Sequence, residues 1–258
     1  MTETAATPGA APPPPWTLDE LAHAGPEHLD AGFIAGYDRK QGYPRPDDDI
    51  AALEAHGLGA ESAIVDLGAG TGQFTLAAAR RFGHVTAVDV SPAMLAALRE
   101  KAAVMGEVAG RTEDPGRAAA PLAPIDFVRG GFLSFCPASP VDGVHTRNAL
   151  HQVPDFWKAV ALARIAAMLV PGGVLRLRDL VYDFRPQEAE AVFGGWFAGA
   201  STDPAAGYTA ADYAEHIRTE HSTFRWLLEP MLAAAGFEIA DVAYERRLYG
   251  AYTCVKKA

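Results

Sequence analysis

The chain has 258 residues, 49% of them hydrophobic and 21% charged, which is enough for one globular domain with a small appendage and too little for a second large one. A formal net charge of -10 at pH 7 argues against a polyanionic partner, because binding to phosphates needs a basic face, so no nucleic acid is expected. The apolar runs are short and broken, the N-terminus lacks a basic start and apolar core, and Cys136 and Cys254 lack metal-ligand spacing: no membrane span or export signal is expected, the thiols read as buried and reduced, and the compartment as cytoplasmic.

Residues 1–15, rich in Ala, Pro, Gly and Thr, read as a disordered tail. From Trp16 to Leu58, the apolar positions Leu18, Leu21, Phe33, Ile34 and Tyr37 predict short helices that could cover a site, with "GYPRPDDD" as a loop. A strand and helix alternation then begins. "AIVDL" (63–67) predicts a buried strand, "TGQFTLAAARRFG" a helix closed by Gly83, and "HVTAVDV" (84–90) a second strand. Ser91 and Pro92 suit the N-cap and first turn of a helix whose apolar face is Met94, Leu95, Leu98, Ala102 and Met105. Residues 107–124 have no period and read as a surface insertion. "IDFVRG", "VDGVHT" and "VLRLRD" predict three more strands, with a helix at 155–169 ended by "PGG"; the alternation implies a parallel sheet covered on both faces. The aromatic-rich stretch 183–225 is too long for a connection and reads as a cap over the same sheet edge. Finally "LLEPMLAAAGF" is a helix stopped by Gly236, and "EIADVAYERRLYGAYTCVKK" an antiparallel hairpin turning near Arg247.

The stretch "IVDLGAGTGQF" (64–74) carries most of the functional information. A dinucleotide fingerprint needs Gly-x-Gly-x-x-Gly, whereas here the spacing is Gly-x-Gly-x-Gly, followed by Gln73. Gly68, Gly70 and Gly72 would let backbone approach a ligand at the C-terminal edge of the sheet, and Asp89 ends the second strand where a carboxylate can accept both hydroxyls of a ribose. Asp66 adds a negative group that is awkward beside a pyrophosphate and useful beside a sulfonium or ammonium. An adenosyl ligand with positive charge and no phosphate fits this set best.

Taken together, "VDLGAGTGQF", "VDVS" with Met94, "NALHQVPD" and "LVPGGVLRLRD" resemble the class I S-adenosylmethionine-dependent methyltransferases over roughly residues 60–180. The resemblance implies an α/β, Rossmann-like fold: a seven-stranded, mostly parallel sheet of order 3-2-1-4-5-7-6 with an antiparallel C-terminal hairpin, and S-adenosyl-L-methionine as cofactor. Together with the patterns read along the chain, this gives a single domain over 16–258 after the tail of residues 1–15, made of a helical cover (16–58), a cofactor core (60–182), a helical cap (183–225) and a terminal helix and hairpin (226–258). By the same resemblance Asp66, Gly68, Gly70 and Gly72 frame the methionine moiety, Asp89 holds the ribose, and Val90 and Met94 flank the adenine. Gly131 stands where many members place an Asp that accepts the adenine amino group, so contact is expected from backbone at Gly131 and Phe132. Asn148 is expected beside the methionine end through its backbone.

Cap and cover together would enclose a small, apolar or aromatic acceptor, with His221 and His151 as candidate bases; His151 reads equally as a polar residue at a helix entrance. Asp179 ends the fifth strand near the ligand edge. His216, Glu220 and His221 match no zinc spacing, so no metal is expected, and Ser222 and Thr223 read as N-caps of the next helix. The competing readings are a non-catalytic S-adenosylmethionine-binding regulator and a nicotinamide-dependent oxidoreductase. The oligomeric state is left open.

Overall fold

Val65, Leu67, Val88, Val144, Leu175 and Leu177 are wholly buried strand residues. Runs this apolar are what a parallel sheet needs when helices cover both faces. The computed structural model describes residues 14–25, 28, 30–41, 45–110 and 122–258. The expected tail therefore lies outside the described residues except for Pro14 and Pro15, as does most of the expected insertion.

The strands are β1 (Ala63–Leu67), β2 (His84–Asp89), β3 (Ile125–Arg129), β4 (Val141–Arg147), β5 (Leu169–Tyr182), β6 (Thr223–Phe224), β7 (Phe237–Glu245) and β8 (Tyr249–Lys256). The main path runs β3-β2-β1-β4-β5-β8-β7. Strands β1 to β5 are mutually parallel, and β8 is antiparallel to both β5 and β7. This is the expected order, with β8 and β7 as the hairpin. The short β6 is an addition: it pairs in parallel with the end of β5, Val181 opposite Thr223. Arg246 and Arg247 make the hairpin turn at φ 52° and 61°, and Gly236 at φ 93° stops the helix before it.

The helices are α1 (Glu20–His23), α2 (Ala31–Lys40), α3 (Asp47–Ala55), α4 (Gln73–Ala78), α5 (Pro92–Gly110), α6 (Asp155–Met168), α7 (Ala189–Ala198), α8 (Ala210–Thr219) and α9 (Arg225–Ala234). Three boundaries differ from expectation. α4 stops well before Gly83, because Arg80 and Arg81 donate to Ala77 and Ala78, three residues back, and tighten the chain out of the α form. α5 runs on to Gly110, into the expected insertion, because Ala102 and Met105 pack with Leu98 and keep the helix on the sheet. "PGG" lies inside the irregular start of β5, where the register with β4 shifts between Val141 and Gly143.

The cap has a core of its own. Leu180, Tyr182, Phe184, Trp196 and Leu248 are buried together, with Phe193, Tyr213, Phe224 and Tyr249 packed around them. Each large side chain buried there contributes roughly 1.5 to 3 kcal/mol, so α7 and α8 are held over the sheet edge by apolar contact. Among the described residues no helix is long and apolar enough to cross a membrane. Both thiols are free. Cys254 is buried, but Cys136 is exposed, contrary to expectation, because it follows the inward-facing Phe135 on an irregular loop.

Candidate functional site

The turn after β1 folds back on β2: Gly68 and Ala69 both donate N–H to the Val88 carbonyl. Gly68, Gly70 and Gly72 have φ of 75°, 52° and 88°, backbone that a side chain disfavours. Gly68 and Gly70 line a narrow cleft together with Asp89, Val90, Met94, Gly131, Phe132 and Asn148. A Cβ on Gly68 would also lie 2.5 Å from the Ala149 side chain, so close packing adds to the demand for glycine.

Two expected residues do not face the cleft. Asp66 is buried under the turn, where its carboxylate accepts from Thr75 Oγ1 at 2.5 Å and pairs with His145 Nδ1 at 2.8 Å. Its place on β1 points it at α4 and β4 rather than at a ligand. Gly72 caps α4 in the left-handed region, and a Cβ there would overlap the Leu98 side chain, so its role is packing against α5.

Asp89 Oδ2 accepts the Gly70 N–H and Oδ1 the Ser91 N–H, both at 2.8 Å. These bonds fix the carboxylate and leave further lone pairs for a ligand's hydroxyls. Burial raises its pKa to about 6, against the lowering effect of the Ser91 and Gly70 amides. At the next position Ser91 Oγ accepts the Met94 N–H and seats Met94 in the cleft wall.

The end of the cleft where adenine is expected contains a residue that sequence reading missed. Glu20, on the four-residue α1 of the cover, accepts from Leu133 N and Ser134 Oγ, each at 3.1 Å. A Cβ on Gly131 would overlap this carboxylate. The glycine thus vacates the space that the Glu20 carboxylate fills, placing an acid from the cover beside the loop that lacks the family's Asp. Burial raises the Glu20 pKa despite these hydrogen bonds. At the opposite end Asn148 sits at φ 49°, its N–H bonded to the Arg178 carbonyl, and its buried Oδ1 has no partner. An orphaned acceptor beside a buried carboxylate and a glycine-lined turn suits a ligand with ribose hydroxyls at one point and an ammonium at another. The residues present therefore fit S-adenosylmethionine, and Glu20, Asp89 and Asn148 are the polar groups that would meet it.

The cleft opens into a larger cavity of about 620 Å³ under the cap, and Ala24, His28, Tyr37, Asn148 and Gln152 line both spaces. Phe33, Trp196, Tyr213 and Tyr249 give the cavity aromatic walls, with Trp196 and Tyr213 stacked at 4.1 Å. Both candidate histidines reach it. His221 is anchored by its backbone: its N–H donates to the His151 carbonyl at 2.8 Å, and its own carbonyl accepts from the buried Lys158 ammonium. Its half-buried ring lies 6.2 Å from the ring of His23. Burial, then the Lys158 and His23 charges, lower its pKa, so the imidazole is neutral at pH 7.

His151 is different. It is 5% exposed, with Nδ1 2.5 Å from Asp179 and Nε2 2.8 Å from Glu220. Burial opposes its charge, but the two carboxylates outweigh burial and push it up to about 10. A ring held as imidazolium does not accept a proton at pH 7, which turns the expectation of a base at His151 toward His221. Ser222 and Thr223 do not cap α9 either; Ser222 bonds His216 at 2.8 Å, and Thr223 pairs in β6.

The methyltransferase-domain family matches residues 64–173, the stretch from β1 into β5. A 23S rRNA (uracil(1939)-C(5))-methyltransferase of Chromohalobacter salexigens is 35% identical over 136 residues, 50% of this chain, and the chain spans only 28% of that protein's length. An uncharacterised methyltransferase of Geobacillus kaustophilus is 27% identical over 217 residues, covering 76% of this chain and 92% of that one. Among solved structures, magnesium protoporphyrin IX methyltransferase from Synechocystis PCC 6803 with bound S-adenosylmethionine superposes with a TM-score of 0.59 at 16% identity, over 94% of this chain and 99% of the other. Residues 64–173 thus form a methyltransferase domain, the strand order and overall fold match those of the solved methyltransferase, and the polar groups of the cleft suit S-adenosylmethionine.

Proposed function

We propose that the protein transfers the methyl group of S-adenosylmethionine to a small, apolar or aromatic acceptor bound under the cap. The observation that carries this reading is the 620 Å³ aromatic-walled cavity continuous with the cofactor cleft, a volume in the usual range for small-molecule sites of roughly 300 to 1,000 Å³. A polynucleotide would meet Asp212, Glu215 and Glu220 in the cavity wall, and a chain of net charge -10, so the RNA substrate of the Chromohalobacter relative is not carried over.

When bound, the cofactor would supply a methyl carbon already activated by its sulfonium, for displacement from sulfur by the acceptor. The chain's part is positioning. Glu20 would accept from the adenine amino group, Asp89 from the ribose hydroxyls, and Asn148 Oδ1 from the α-ammonium. Stacked Trp196 and Tyr213 exclude water from the acceptor. The neutral His221 ring takes the proton that the acceptor's hydroxyl or acidic carbon loses.

The test is release of S-adenosylhomocysteine with a panel of small hydroxylated aromatic compounds and, separately, with ribosomal RNA. Turnover on members of the small-molecule panel supports the reading. Turnover on RNA alone overturns the acceptor class, and tight cofactor binding with no turnover on either points to a regulatory protein.

A further inference from the structure

We infer that His151, His216 and Glu220 form a divalent-cation site of the zinc type in the wall of the acceptor cavity. One ligand atom from each lies within 4.8 Å of the other two. The rings converge on a single carboxylate oxygen: Glu220 Oε2 is 2.8 Å from His151 Nε2 and 2.6 Å from His216 Nδ1. All three residues line the cavity. Two imidazoles and one carboxylate are a donor set for borderline first-row cations such as Zn²⁺, and three protein ligands leave a position open for a ligand from the cavity.

The nitrogen that would not bind the cation is held on each ring. His151 Nδ1 is 2.5 Å from Asp179 Oδ1, and His216 Nε2 is 2.8 Å from Ser222 Oγ. Such outer partners orient metal-binding imidazoles, and a cation at His151 Nε2 would take the place of the proton that this nitrogen shares with Glu220. The elements holding the ligands are fixed independently. Asp179 lies within β5, His151 in the short turn at Leu150–Gln152, and His216 near the end of α8, and the Glu220 segment is pinned by the His221 to His151 backbone bond. Gln152 Nε2, 3.1 Å from Glu220 Oε2, also lines the cofactor cleft, so a cation here stands one side chain from the methyl donor's site. There it would bind an oxygen of the acceptor and favour its ionised form. That role rests on the acceptor reading above; the site itself does not.

The experiment uses the full, untagged chain, stripped with chelator, and titrates Zn²⁺ by calorimetry and Co²⁺ by visible absorption, with no acceptor present. One equivalent is expected at micromolar affinity or tighter, with the strong Co²⁺ bands of a low-coordinate site. Glu220→Gln and His216→Ala are each expected to weaken binding by at least about 100-fold while S-adenosylmethionine affinity and melting temperature stay near the wild-type values. Wild-type protein that binds S-adenosylmethionine but takes up no stoichiometric cation overturns the inference, as does full cation affinity in both variants. If a variant does not fold, the wild-type stoichiometry and Co²⁺ spectrum decide alone. Because no turnover is measured, a failed methylation panel leaves this result standing.

Discussion

The two halves of the site are built on different principles. The cofactor end is framed by glycine-bearing backbone, the turn after β1 and the loop after β3, beside the end of β2, all at the C-terminal edge of parallel strands, where such folds bind ligands, with a few polar side chains set into that frame. The acceptor end is side chains from five places far apart in the chain, including His23, Phe33, His151, Trp196 and His221. Backbone sites depend on φ and close approach and leave little freedom for chemical variation. Side-chain sites can change with each residue, which is why the same cofactor half serves many acceptors.

If that division is right, substitutions at the two ends have separable effects. The largest is expected at the acceptor end. His221→Ala should lower turnover by roughly 10²-fold to 10⁴-fold, the range for a general base, with cofactor affinity nearly unchanged. Steady-state kinetics beside calorimetry checks this; near-normal turnover in folded protein removes His221 from the chemistry. Next, Asp89→Ala should weaken S-adenosylmethionine binding by about 1.5 to 3 kcal/mol, or roughly tenfold to a hundredfold, because charge-assisted bonds to the ribose are lost. Unchanged affinity by calorimetry would take Asp89 out of the site.

Glu20→Ala should cost about tenfold in the same measurement, near the lower bound for a hydrogen bond to a charged group. Adding Gly131→Asp to that variant tests the exchange of carboxylates directly, since the space a Cβ would need at 131 is taken by Glu20 alone among the nearest atoms. Recovery is expected in the double variant, and no recovery would show that Glu20 serves only to pin the cover. The smallest effect is that of pH. The ligand needs the ionised form of Asp89, whose folded pKa is about 6, so affinity should be flat above pH 6 and fall by up to tenfold per unit below it. In the free protein the sign is opposite: a carboxyl raised above its unfolded value takes up protons on folding, so its contribution to stability improves as pH falls from about 6 toward 4. Affinity that stays flat down to pH 5 would mean the ribose does not depend on this charge.

The cofactor half was legible because its signals are local. Gly68 and Gly70 are forced by positive φ, and Asp89 ends a strand whose apolar run is visible in one dimension. Asp66 misled for a reason that spacing cannot show: its partners Thr75 and His145 lie 9 and 79 residues away, and they turn it into the core. Glu20 was hidden because a four-residue helix has no period to read, and its contacts are 113 and 114 residues distant. The pair His216 and Glu220, four apart at the end of α8, was visible as a pair. Its third member, His151, joins it because β6 pairs with β5, and the chain just before β6 is bonded to the turn after β4 through His221 N–H and the His151 carbonyl.

The link between cover and core carries a kinetic consequence. Asp38 on α2 accepts Thr71 Oγ1 and the Lys101 ammonium, both at 2.5 Å, so a cover helix is latched to the glycine turn itself and to α5. Cover residues Glu20, Ala24, His28 and Tyr37 also wall the cleft, so the segment held by Asp38 forms one side of the cofactor's space. Asp38→Ala should therefore speed cofactor association and release in stopped-flow binding, and unchanged rates would show that this latch does not govern exchange.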